Sequence, residues 1–474
     1  DGVAGDGRVG AILAPPADGT IIEYSLTAQD SEGHLRVFPN VETPEGERTA
    51  NPAFQVDDAA YAGDQPVFRL ILTRAEYDYL SKEIWAGEPY SDAVVNGTFV
   101  SADGLLEGGT TTHVRYLCDF RNRGHGTRTA VPHNFHVGFP KDRLWKGRFG
   151  LNLNTRHTHS QQIGSALFRR SGIPMADSRP VQVRVNAVNL AKPGQEQFGS
   201  YAANEVVDDR LVQHQFPLDA EGNLYRGIRD MIPGVDSVAD LSWHGPSFTG
   251  YTNAYAKENN AFVNDWSDFI QLLDVLNHAP EAGYADAVRS VADVDQWMKY
   301  FAVNTLLDNQ ENSLGIGEGD DFALYRGTND TRFVLLPYDL DSVMGRGLRT
   351  ASYADGLWRM TNVAVIDRLV KRPEFAPLYY RHLRELAETT FAPARMDPVL
   401  DHLLASYVDA TAIANLKAFN SNHVAYVLSQ IPRTLTFVHE LTVVSGHPRT
   451  TNAQIALSGQ ADAVSTRRVL VNGN

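Results

Sequence analysis

Short stretches of alternating apolar and polar residues fill the first half of the chain, and helical spacing takes over in the second. Val67 to Leu72 predicts a strand, and Thr73-Arg74-Ala75-Glu76 forms a capping box that opens a helix to about Trp85. Val114, Tyr116 and Phe120 alternate, which predicts a strand over 112–120 with Cys118 buried in it as a packing residue, not a nucleophile. Further strands are expected at 133–139, 180–187 and 198–205, with a helix near 160–171 ended by Gly172 and Pro174. The second half predicts helices near 264–277, 293–307, 363–390, 396–418 and 421–430. The expected class is therefore α+β, a strand-rich first lobe followed by a helical second lobe, with a ligand cleft at their junction.

The densest chemistry lies in Phe322 to Asp341, FALYRGTNDTRFVLLPYDLD. Phe322 to Arg326 predicts one strand, Gly327-Thr328-Asn329-Asp330 a turn, and 332–337 a second strand, apolar at Phe333, Val334, Leu335 and Leu336. Asp339 and Asp341 follow at its end. A buried carboxylate is costly unless paired, and a hard cation such as Mg²⁺ pairs well with carboxylate oxygen. A lone Asp in this position more often caps a turn. Upstream acids change that reading. A helix over 293–307, with an apolar stripe of Val294, Trp297 and Phe301 beside Met298, Ala302 and Leu306, carries Asp293 and Gln296 as a capping box. Asn304 and Asp308, four apart, are expected on one helix face near its end. A glycine-rich loop at 315–319 then leads to Asp320 and Asp321. Helix, Asp308, loop, Asp321, hairpin, Asp339-x-Asp341 is the order of a kinase-type phosphoryl-transfer site.

These residues carry a resemblance. NTLLDN…DDFALYR…RFVLLPYDLDSVMGRG is similar to the core of the CotH (spore-coat protein H) kinase-like family. VRYLCDFRNRGHGTR at 114–128 resembles the family's "vRyRGnSS", FGLNLN at 149–154 its "lnLns", GSALFRRSGIP at 164–174 its "lfreaGvpa", and FGSYAANE at 198–205 its "yGlYlliE". The likeness runs over roughly residues 65 to 440. It implies a two-lobed atypical protein-kinase-like fold that uses ATP with Mg²⁺ or Mn²⁺ and phosphorylates Ser or Thr of a partner protein. Asp308 would orient the acceptor hydroxyl as base. Asp339 would hold the metal, with Asp321 as second ligand and Asp341 in support. Arg123 would face phosphate, and Glu205 would sit near the lobe hinge unless it is a partly exposed acid beside Asp208 and Asp209. Where the family carries a lysine-rich strand, this chain has His133 and His136, which are mostly neutral at pH 7. Arg128 or Lys141 would then supply the missing charge. Tyr338 replaces the tryptophan of the family's PWDxD, and Asp321 replaces an amide.

Two further groups leave alternatives open. Arg121 to Arg128 reads either as a loop cradling phosphate or as a plain basic hairpin loop. His157 and His159 form an H-x-H that suits a Zn²⁺ or Cu²⁺ half-site, but the favoured reading is a surface loop before an N-cap at Ser160. No G-x-S-x-G elbow or H-E-x-x-H helix is present.

Composition narrows the field. The 474 residues carry a net charge of −15, which excludes a nonspecific nucleic-acid binder. No apolar run is long enough to span a membrane. One cysteine excludes an internal disulfide framework. The chain begins at Asp1 and is expected to be a processed or excised piece of a longer exported bacterial protein, secreted or held at the cell surface. Its ends support this: 18–38 resembles the last strands of an immunoglobulin-like or fibronectin-like module, and 455–461 with 469–473 resembles the opening of another. The expected domains are 1–45, the end of a β-sandwich-like module and linker, 46–441, the kinase-like domain, and 442–474, a linker and the start of a second module. Segments 39–65 and 442–452 would be linkers or extended arms, and neighbouring modules would be partners. A different class also fits: a catalytically inactive structural or adhesion module whose Asp308, Asp320, Asp321, Asp339 and Asp341 bind Ca²⁺.

Overall fold

The computed structural model describes residues 10, 12–14, 16–39, 50–59, 63–103, 111–191, 198–228, 238–316, 320–345, 352–359, 363–466 and 468–470. The chain is mixed α/β and divides into two compact units, residues 1–155 with 180–203, and residues 156–179 with 204–474.

The first unit is built on a closed barrel rather than an open lobe sheet. Strands Val67–Ile71, Val95–Ala102, Thr112–Asn122, Phe135–Gly138, Gly150–Asn154, Tyr201–Glu205 and Ser178–Val185 are neighbours in that order. Parallel pairing of Gln182 to Val185 with Val67 to Leu70 then joins the last strand to the first. Closure pairs the first barrel strand with the last and buries one side of the strands, while the short Val188–Asn189 adds an antiparallel pair to the end of Ser178–Val185. Phe68, Leu70, Phe99, Phe120, Phe135, Trp145, Val183 and Tyr201 fill that interior, each worth about 1.5–3 kcal/mol of transfer energy. Val95–Ala102 and Gly150–Asn154 are additional to the expected strands. Cys118 is buried in Thr112–Asn122, and burial pushes its thiol up to about 12. The expected capping box is half made. Thr73 Oγ accepts from the Glu76 N–H at 3.3 Å, but the Glu76 carboxylate turns to the Asn96 N–H at 3.2 Å. The helix divides into Arg74–Asp78 and a wider turn, Tyr79–Trp85.

The second unit holds a four-stranded antiparallel sheet, with Tyr255–Lys257, Asn223–Gly227, Phe322–Arg326 and Val334–Pro337 as successive neighbours. The first two of these strands had no expectation. Ala176, Leu211, Leu224, Ala323, Tyr325 and Leu336 pack together over the sheet. Helix Thr158–Arg170 begins two residues earlier than the sequence suggests, so His159 lies buried in its first turn rather than on a surface loop. It ends as expected at Gly172, whose φ of 75° only glycine adopts freely. The single helix expected at 363–390 is two, Ala364–Val370 and Ala376–Glu388, the second started by Pro377 in its first turn. Pro393–Leu404 and Ala410–Gln430 replace the pair expected at 396–430. The break falls where Asp409 accepts from the Ala412 N–H at 2.8 Å and starts a new helix.

At the ends, Leu26–Gln29 and Leu35–Phe38 form the hairpin expected around Ser31 to Gly33, and Ile21–Glu23 pairs with Ala53–Gln55. Thr436–Val438 pairs with Ser458–Gln460, and Thr442–Val444 with His447–Arg449. Residues 317–319 of the glycine-rich loop, parts of 39–65, and 471–473 lie outside the described residues. Among the described residues no helix is long and apolar enough to cross a membrane.

Candidate functional site

The hairpin forms where the sequence places it, with Phe322 opposite Pro337 and Tyr325 opposite Val334. Its turn is held by a residue the sequence reading passed over. The Asp219 carboxylate accepts from the N–H groups of Thr328, Asn329 and Asp330 at 2.8–3.0 Å. A Cβ on Gly327 would collide with that same carboxylate, so the turn requires glycine there. Helix Val294–Leu307 pins the outer strand. The Trp297 indole donates to Phe333 O at 2.8 Å, and the Gln296 side chain makes both bonds to the Leu335 backbone, 2.7 and 3.0 Å. Asp293 accepts from the Gln296 N–H as expected, but Gln296 is spent on the strand instead of closing the box. Behind the strand end, Gln161 accepts from the Leu340 N–H at 2.7 Å, and a Cβ on Gly164 would lie 2.6 Å from Leu340 Cβ. Helix and loop therefore touch backbone to side chain, fixing the direction of 339–341.

This frame gathers the carboxylates. Asp321 precedes the hairpin and Asp339 follows it, and the Tyr338 N–H donates to Asp321 O at 3.4 Å. Asp321 and Asp341 are each only 8 % exposed. Burial, then the charges of Asp320, Asp339, Glu311 and Asp341, push the Asp321 carboxyl well above its usual range. Burial, then Asp339 and Glu311, do the same to Asp341, against a bond from Ser342 Oγ at 3.0 Å. Glu311 is thus a member that the sequence reading missed. The donor set is entirely oxygen and dense in negative charge, the chemistry a hard divalent cation such as Mg²⁺, Mn²⁺ or Ca²⁺ prefers, but among the described residues the group whose ligand atoms converge within 4.8 Å is Asp177, Glu205 and His214 rather than these acids. Asp308, Asp321 and Asp339 all have left-handed backbone, with φ of 48°, 40° and 47°. Such conformations cost about 1–3 kcal/mol each in a non-glycine residue and concentrate at functional sites.

Asp308 is not on the helix face shared with Asn304. It is the left-handed C-cap that ends the helix, and it is 1 % exposed. Arg359 donates to its Oδ1 at 2.9 Å and Gln310 to its Oδ2 at 3.5 Å. The Gln310 N–H in turn donates to Ser342 O at 2.9 Å, and the Met344 N–H to Leu307 O at 2.8 Å. The Asp308 loop is thereby stitched to the segment carrying Asp341. Burial pushes the Asp308 carboxyl up to about 6, against the opposing pull of Arg359. Arg359 lies 51 residues away in sequence, and no spacing signal marks it.

The remaining expected site residues belong to other settings. In the barrel unit, Arg123 donates to Asn154 Oδ1. The Arg128 guanidinium is buried and donates to Gly124 O, Ser91 O and Asp92 Oδ1 at 2.6–3.0 Å, so it builds the 121–128 loop. His133 stacks on Trp85 at 4.0 Å, and burial lowers its basicity. His136 is lowered to about 4 by burial, with its Nδ1 2.9 Å from Asn152 Oδ1. Both imidazoles are neutral at pH 7. In the second unit, Glu205 accepts from the Asp177 N–H at 3.0 Å and faces His214 Nδ1 at 3.2 Å.

Residues 120–414 match the family described as "CotH kinase protein". The chain belongs to the CotH family. Among curated proteins it is 21 % identical over 340 residues to the inner spore coat protein H of Bacillus subtilis (strain 168), covering 70 % of this chain and 84 % of that protein. Among solved structures it is similar to a Shewanella oneidensis MR-1 toxin–antitoxin HipA–HipB–operator DNA complex, at 13 % identity and a TM-score of 0.30, covering 80 % of this chain and 75 % of that one. It is also similar to the Helicobacter pylori proinflammatory kinase CtkA, at 9 % identity and a TM-score of 0.23, covering 62 % of this chain and 90 % of that one.

Proposed function

We propose that this CotH-family chain is a kinase-like phosphotransferase that moves the γ-phosphoryl group of ATP to a Ser or Thr hydroxyl of a partner protein, using Mg²⁺ or Mn²⁺. The observation that supports it most is the buried carboxylate cluster at the two ends of one hairpin, stitched by Gln310 and Ser342 to a buried Asp308. Asp339 and Asp321 would hold the cation and Asp341 would support it. When bound, the cation would neutralise charge on the transferring phosphoryl group. Asp308 would orient the acceptor hydroxyl and take its proton. A carboxyl raised to about 6 is ionised above that pH and is a better base than an ordinary aspartate. Arg123, Arg128, His133 and Glu205 are the nucleotide-contact candidates. Arg123, which matches the arginine of the family's RG loop, is the first to substitute. The two-lobed kinase-like arrangement, an exported or surface-associated bacterial location, and β-sandwich neighbours belong to the same proposal. The spore-coat relative supports the location. The test is γ-phosphoryl transfer to a Ser/Thr protein acceptor with Mn²⁺ or Mg²⁺. Transfer should fall at least about a hundredfold in Asp339→Asn and Asp308→Asn. Transfer unchanged in Asp339→Asn would show the metal assignment wrong.

One observation favours a second reading. His133 and His136 are neutral and partly enclosed, which removes two cations from the nucleotide's expected surroundings. The cluster would then bind Ca²⁺ in a structural or adhesion module. Stabilisation by Ca²⁺ with none from ATP and Mg²⁺ would select this reading.

A further inference from the structure

A second set of potential metal ligands shares no residue with the hairpin carboxylates, and the phosphotransfer reading uses only its Glu205, as a nucleotide-contact candidate. Asp177 precedes strand Ser178–Val185, Glu205 ends strand Tyr201–Glu205, and His214 sits in the last turn of helix Asp209–Gln215. One ligand atom from each lies within 4.8 Å of the other two. We propose that Asp177, Glu205 and His214 form a binding site for a divalent transition-metal ion of the Zn²⁺, Co²⁺ or Mn²⁺ class.

The site is built on rigid elements. The Asp177 and Glu205 backbones are bonded, Glu205 N–H to Asp177 O at 2.8 Å, and the Asp177 N–H returns to Glu205 Oε2 at 3.0 Å. Glu205 is fixed in its rotamer by this bond, with its side chain 2 % exposed. The helix carrying His214 is anchored by Leu211 and Val212, both buried, and is capped by Asp208, which accepts from the Arg210 and Leu211 N–H groups at 2.8 and 3.3 Å. Asp208 and Asp209 add negative charge beside Glu205, and Asp208 is pushed up to about 6 chiefly by burial, against the Arg210 and Leu211 N–H bonds, with Asp209 and Glu205 adding to the rise. The acids beside Glu205 favour a cation at the site, while the Arg169 guanidinium paired with Asp177 opposes one. His214 and Asp177 are 56 % and 41 % exposed in their side chains, so an ion can enter from solvent and keep water in its remaining positions.

The ligand types choose the metal. An imidazole nitrogen with two carboxylates suits borderline ions, whereas Mg²⁺ prefers all-oxygen sets and retains its water. This separates the site from the oxygen-only hairpin cluster. Ligation through Nδ1 needs that nitrogen unprotonated, so a proton at His214 Nδ1 would leave to solvent or move to Nε2 as the ion replaces it between His214 and Glu205. Asp177 also meets Arg169 at 2.9 Å, a half-exposed ion pair of small worth that it would share or release.

The experiment uses the full chain carrying Asp341→Asn, so that the hairpin cluster is weakened and its failure is separable from failure here. Calorimetric titration with Zn²⁺, and Co²⁺ absorption in parallel, should give one tight site per chain. His214→Ala removes an exposed side chain and leaves the fold intact by circular dichroism. It should weaken Zn²⁺ affinity at least about tenfold and abolish the Co²⁺ bands. Glu205→Gln, nearly isosteric, should weaken it likewise. If no site tighter than about 100 µM is found, or if both substitutions leave affinity and spectrum unchanged, the proposal is overturned.

Discussion

Asp308 gives a perturbation whose size follows from its surroundings. It is 1 % exposed, so solvent screening gives no reason to discount its shift. Its carboxyl rises from 3.8 to about 6 in the folded chain. That is roughly two pH units, or about 3 kcal/mol at ~1.36 kcal/mol per unit. Because the pKa is raised, the folded protein holds this proton more firmly than the unfolded chain does. Stability from this group is fully present below about pH 4 and is lost as pH rises toward the folded value. Asparagine at 308 does not titrate, and its carbonyl can still accept from Arg359. The stability gap between wild type and Asp308→Asn therefore isolates one carboxyl. Urea unfolding in EDTA, followed by tryptophan fluorescence from about pH 4.5 to pH 8, should show wild type losing roughly 2 kcal/mol relative to the variant. A gap that stays flat, or widens in favour of wild type as pH rises, would refute the assignment of Asp308 as a buried, poorly solvated acid.

Other outcomes follow from the same geometry. Asp341→Asn should stabilise the metal-free protein at pH 8, because burial and the Asp339 and Glu311 charges raise the Asp341 carboxyl. The gain should vanish as pH falls below about 4, where the native carboxyl is protonated in both states. The same variant should lose most of the thermal stabilisation that Mg²⁺, Mn²⁺ or Ca²⁺ gives wild type, read by a melting-point shift. Gln296→Ala should cost about 1–3 kcal/mol in urea unfolding, since it strips both partners from the Leu335 backbone. Gly327→Ala should cost about 1–3 kcal/mol by driving Asp219 off the hairpin turn. Cys118, with its thiol at about 12, should resist thiol reagents in the native protein and react only on unfolding.

The hairpin was readable because every signal in it is local. Apolar alternation, a Gly-Thr-Asn-Asp turn and flanking aspartates all lie within twenty residues. Barrel closure was not, since it depends on parallel pairing of Val67 to Leu70 with residues more than a hundred positions later. Strand Asn223–Gly227 escaped because Tyr-Arg-Gly gives little alternation, and its partner Phe322–Arg326 supplies the ladder that makes it a strand. Within the candidate site, Asp308, Asp321, Asp339 and Asp341 were nominated by type and order. Three of their companions were not. Arg359 and Gln161 act from afar through single hydrogen bonds, and Glu311 acts through the field it adds to the buried acids. The capping boxes at Thr73 and Asp293 show the same limit. Each N-cap was right, but Glu76 and Gln296 found better partners in neighbouring strands.

The most direct test of the phosphotransfer account is calorimetric titration of ATP into the full chain with Mg²⁺ or Mn²⁺, beside Asp339→Asn. Saturable, metal-dependent nucleotide binding is expected, weakening at least about tenfold in the variant. Divalent cation binding to the wild type with no nucleotide binding under any metal would contradict it and leave the cluster a structural cation site.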